Sequence, residues 1–72
     1  MVEIFRTNVD SEYKAKKIVD AVHSNFQHYR VNFDLEDCDR ILRVESTNDR
    51  LNMSKILQFL KRLGLEVEVL PD

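Results

Sequence analysis

Tryptophan is absent from these 72 residues, and glycine, proline and cysteine occur once each. Each scarcity removes a class of function. The one glycine, Gly64, falls late in the chain, so there is no glycine-rich loop to cradle a phosphate. The one proline, Pro71, stands next to last, which leaves every interior segment without a breaker and offers no Gly/Pro linker or low-complexity tract. The one cysteine, Cys38, has no partner for a disulfide within the chain and points to a reducing, cytoplasmic setting. No apolar run approaches the ~18 residues that mark a membrane span. The opening MVEIFRTNVD lacks the basic start and apolar stretch of a signal peptide. Eleven Lys and Arg stand against thirteen Asp and Glu, a net charge of −2, so the basic excess of a nucleic-acid binder is missing too. These readings imply neither a membrane nor a nucleic acid as partner.

What is present is pattern. At 43% hydrophobic residues, the chain supports a single domain over 1–72 with one core and no deep cavity. VEIF at 2–5 reads as a strand with Val2 and Ile4 inward and Phe5 outward. That register turns Arg6 inward, a conflict that a bulge near Thr7 would resolve. Ala15, Ile18, Val19, Val22 and Phe26 then recur at helical spacing, with Asp10 or Ser11 placed to cap the first turn. YRVNFDLE at 29–36 alternates, with Tyr29, Val31, Phe33 and Leu35 on one face. EDCD at 36–39 forms a tight polar connection, and RILRVES at 40–46 returns with Leu42 and Val44 inward. A second helix carries Met53, Ile56, Leu57, Leu60 and Leu63 on one stripe. Asn52 is its N-cap, Leu51 and Ile56 form a staple pair, and Gly64 is its left-handed stop, with Leu65 closing back on Leu60. LEVEVL at 65–70 is the last strand, with Leu65, Val67 and Val69 inward.

The order β-α-β-β-α-β predicts an α+β, ferredoxin-like plait. Four strands form one sheet, the first and third lie in its middle, and both helices cover one face. The layout, the length and the positions of Ala15, Ile18 and Val22 resemble the heavy-metal-associated domain. In that family a Met-x-Cys-x-x-Cys motif closes the first loop. Here Val9 stands in the methionine's place, Ser11 in the first cysteine's and Lys14 in the second's. A serine hydroxyl is a poor ligand for Cu(I) or Zn(II), and a lysine ammonium repels cations. The resemblance therefore implies a scaffold with a degenerate metal loop and no cofactor. The loop reads as a helix cap, with a modest anion site as the alternative.

Other candidates each have an ordinary reading beside them. Cys38, among Asp34, Glu36, Asp37 and Asp39, is the residual metal candidate, and also a plain polar turn in which nearby carboxylates disfavour the thiolate. His23 and His28, five apart, share a helix face poorly and make no zinc pair. Neither Ser11 nor Cys38 has a histidine at a nucleophile's motif spacing, so no enzyme is expected. On the open sheet face the alternation places Phe5 and Ile41 near the centre, ringed by Arg30, Arg43 and carboxylates. An apolar spot with a charged rim suits a protein contact. The functional expectation is a non-enzymatic module for protein interaction or self-association, with a protein partner or homodimer. The alternatives are a copper or zinc carrier using Cys38 across a dimer, and a small-ligand regulatory domain.

Overall fold

The computed structural model describes every residue except Asp49 and Asp72. Its elements are β1 (Val2–Thr7), α1 (Glu12–Asn25), β2 (Tyr29–Asp34), β3 (Ile41–Ser46), α2 (Met53–Arg62) and β4 (Val67–Leu70). The four strands form one sheet in the order β2-β3-β1-β4, and every neighbouring pair is antiparallel. This is the ferredoxin-like plait, with β1 and β3 in the middle.

Both helices end where local chemistry stops them. Ser11 caps α1: its side chain accepts the Lys14 backbone N–H at 3.1 Å. Asn52 does the same for α2 with the Lys55 N–H at 3.0 Å. At the far end of α2, Gly64 takes φ +88°. The Leu65 N–H reaches the Leu60 carbonyl and the Gly64 N–H the Lys61 carbonyl, the paired bonds of a Schellman turn. Leu60 and Leu65 are both buried, so the turn also closes an apolar contact of the kind such turns favour.

One core lies between the sheet and the helices. Phe5, Val22, Leu42, Val44, Ile56 and Leu60 are its fully buried members. An aromatic group closes one end. Phe26 stacks on Tyr29 with centroids 5.1 Å apart and meets Phe59 edge-on at 5.3 Å. The Tyr29 hydroxyl accepts the Asn52 N–H at 2.8 Å, so the start of β2 also holds the start of α2.

β1 departs from the sequence expectation. Phe5 is 0% exposed and pairs with Leu42, itself 0% exposed, while Val2 is exposed and Ile4 half-buried on the opposite face. The inward set of β1 is thus Glu3, Phe5 and Thr7, continued by buried Val9. Both parities of VEIFRT carry apolar residues, so alternation within β1 does not choose between them. Pairing with β3 does: Leu42 and Val44 point inward, and a partner directly across the ladder shares their face. This register also leaves Arg6 on the exposed side and needs no buried cation. A local irregularity does occur at the strand's exit, but on the partner strand. Arg40 takes φ +48°, and the Thr7 N–H bonds the Asp39 carbonyl at 3.1 Å.

Two substitutions test this arrangement. Phe5→Ala is expected to lower unfolding free energy by about 3–5 kcal/mol in chemical denaturation, the usual cost of emptying an aromatic core position. A loss below about 1 kcal/mol would place Phe5 outside the core. At Gly64 an added Cβ meets nothing within 4 Å, so Gly64→Ala isolates the backbone cost of a left-handed residue. About 1–2 kcal/mol is expected, read as a shift in denaturation midpoint at unchanged slope.

Candidate functional site

The loop after β1 is tied down at Val9, Ser11 and Lys14. Val9 is buried; its N–H donates to the Thr7 hydroxyl at 3.2 Å and its carbonyl accepts from the Arg40 guanidinium at 3.3 Å. The Thr7 hydroxyl in turn donates to the Arg40 carbonyl at 2.6 Å. Ser11 is the helix cap. The Lys14 ammonium lies 3.4 Å from the Asp10 carboxylate. Asn8 fastens the loop to the approach of β4: its carboxamide oxygen accepts the Glu66 N–H at 3.2 Å, and its amide nitrogen donates to the Glu66 carboxylate at 3.4 Å. The cap reading therefore matches the geometry. The charge that an anion site would use is already matched by Asp10. Beside the loop an open cleft of about 390 Å³ has Val9, Ile18 and Leu65 on its walls and Lys14 and Lys17 at its rim.

The open sheet face differs from expectation at its centre. Phe5 belongs to the core, as described above. Ile41 keeps its expected parity but is only 8% exposed, too little to serve as an apolar contact. Ile4, Val2 and Leu70 take the apolar places on this face instead. Arg43 and Arg30 lie on it as expected, both exposed. Each has a polar neighbour within the sheet. Arg43 donates to the Asn32 carboxamide at 2.9 Å, and Arg30 stands directly across from Glu45. Arg6 lies 3.3 Å from the Asp39 carboxylate and 3.8 Å from Glu68. Such exposed pairs contribute little to stability, but they leave the face mixed in charge rather than apolar.

Cys38 is exposed in the turn between β2 and β3. The potential ligand atoms of Asp37, Cys38 and Asp39 lie within 4.8 Å of one another. Two of these side chains have structural work: Asp37 accepts the Asp39 N–H at 2.9 Å, and Asp39 meets Arg6. His23 and His28 are both exposed and join no metal-type cluster among the described residues. The His28 carbonyl accepts from the Thr47 N–H and hydroxyl, which continues the β2–β3 ladder.

The feature that side-chain motifs did not reveal is the difference between the two sheet edges. β4 is four residues long and is followed by Pro71. β2 is six residues long and holds no proline, glycine or lysine. Short strands, prolines and charged side chains, lysine above all, are the usual guards against edge pairing, and of these β2 has only the charges of Arg30 and Asp34. The Thr47 N–H to His28 carbonyl bond sets the phase of the β2–β3 ladder. Arg30, Asn32 and Asp34 direct their backbone groups at β3, while Tyr29, Val31 and Phe33 direct theirs outward. The Tyr29 N–H is taken by the Phe26 carbonyl at 3.3 Å, which leaves Val31 and Phe33 as the central outward pair.

Comparison of the chain with protein-family models, with curated proteins and with solved structures finds no match. The fold and these local geometries are therefore the ground for a functional reading.

With Ser11 serving as a cap and Lys14 paired to Asp10, the monomer is expected to bind neither Cu(I) nor Zn(II) tightly. Titration against a competing chelator checks this. A one-to-one complex of nanomolar or better affinity would contradict it, and its loss in Cys38→Ser would identify the thiol as the ligand.

Proposed function

We propose that this chain is a non-enzymatic protein-contact module, a degenerate relative of the heavy-metal-associated domain that works in the cytoplasm without the family's metal. The observation that carries the contact role is the outermost β2 strand, six residues long and without a proline. A strand added there gains backbone hydrogen bonds without any rearrangement of the sheet. The reading without metal is supported by the first loop, where Val9 is a core anchor, Ser11 a cap and Lys14 half of an ion pair. The non-catalytic reading is supported by the use of Ser11 as the cap of α1. No helix of the described residues is long and apolar enough to cross a membrane.

Native mass spectrometry of the protein purified from its own cells tests this reading against the carrier and sensor alternatives. A homodimer or a complex with another protein, free of metal and small-molecule adducts, is the expected result. A monomer carrying a stoichiometric metal or small ligand would overturn it.

A further inference from the structure

The β2 edge is complementary to itself in one register. Two copies of β2 laid antiparallel about a two-fold axis at Asn32 bring Val31 opposite the partner subunit's Phe33, and Phe33 opposite the partner subunit's Val31. These are the residues whose backbone groups point outward, so each pairing exchanges two N–H···O bonds. In the same register each Arg30 stands opposite the partner subunit's Asp34 on the open sheet face. Opposite charges placed directly across a ladder favour that register, and like charges there oppose it. On the helix-covered side, Phe33 is half-buried in the single chain, and the second strand would cover part of its remaining surface. Moving the axis to Val31 would set Arg30 opposite Asn32 and lose both charge pairs.

We propose that this chain forms a symmetric dimer by β2–β2 pairing with Asn32 on the axis, joining two four-stranded sheets into one of eight strands. This rests on the protein-contact reading above and names its partner: a second copy of the chain. Each sheet supplies its edge without rearrangement, and the Arg30–Asp34 pairs select the register rather than supply most of the affinity.

Sedimentation velocity of the full chain over a concentration series reads the dimer directly. The wild type is expected to dimerise. Arg30→Asp and Asp34→Arg are each expected to weaken dimerisation about tenfold, because each puts two like-charge pairs across the axis. The double variant carrying both changes restores opposite pairs and is expected to return to within about threefold of wild type. Arg30 faces Glu45 in its own chain, so denaturation curves accompany every variant. A second measurement does not depend on the charges: Asn32→Cys combined with Cys38→Ser is expected to form an interchain disulfide on mild oxidation. Directly opposed residues at a wide ladder pair lie ~4.5 Å apart at Cα, within disulfide reach. A monomer at all concentrations, a dimer indifferent to the charge changes, or a failure to cross-link at Asn32 would each overturn the proposal. A monomeric chain that instead captures a strand of a different protein would overturn the dimer and leave the protein-contact reading standing.

Discussion

The pairing of Phe5 with Leu42 is the constraint from which the rest of the structure follows. Both side chains are fully buried at the centre of the sheet, on the two middle strands. In a strand the side-chain period is two, so this one pairing decides the direction of every other residue in β1. It sends Thr7 and Val9 inward and Val2, Ile4 and Arg6 outward. A slip of one residue would bury the Arg6 guanidinium and expose the only large aromatic of β1. Each change is costly, and both act against the same alternative.

The exit of β1 inherits its geometry from that choice. Because Thr7 faces inward, its hydroxyl is in place to bridge the Arg40 carbonyl and the Val9 N–H. That bridge requires Arg40 to present its carbonyl from a left-handed conformation, a cost of about 1–2 kcal/mol for a non-glycine residue. The Arg40 side chain offsets part of this by donating to the Val9 carbonyl. The loop then reaches Ser11 with its backbone direction set, and α1 starts there. Val9, Ser11 and Lys14 act as fasteners, and the loop is a joint between β1, β3 and β4.

Most of the fold was legible because several local signals agreed. The stripes of both helices, the Asn52 cap, the Gly64 stop and the alternation of β2, β3 and β4 each named the same architecture. β1 was not legible by itself, because VEIFRT offers apolar residues on both faces and only the ladder to β3 decides. That ambiguity carried straight into the expected interaction surface. Phe5 and Ile41 were placed at the centre of the open face with Arg30 and Arg43 around them; the two arginines do lie on that face, yet Phe5 belongs to the core and Ile41 is nearly covered. The Arg40 conformation had no signal at all, since nothing in the residue type favours φ +48°. The contrast between the edges was written in the sequence, in Pro71 beside β4 and in the lack of any breaker across 29–34. It had no meaning until strand order showed which strands were outermost.

That contrast also limits how these molecules can accumulate. Growth of a continuous cross-strand ribbon needs two receptive borders on every unit, one to accept and one to offer. Four residues ending at a proline make β4 a poor border, because the ring nitrogen has no hydrogen to donate. β4 is thus the less favourable border, although Val67 and Val69 also direct their backbone groups outward. A contact between two identical β2 edges closes after a single event, and the proline that follows β4 disfavours extension from the other side.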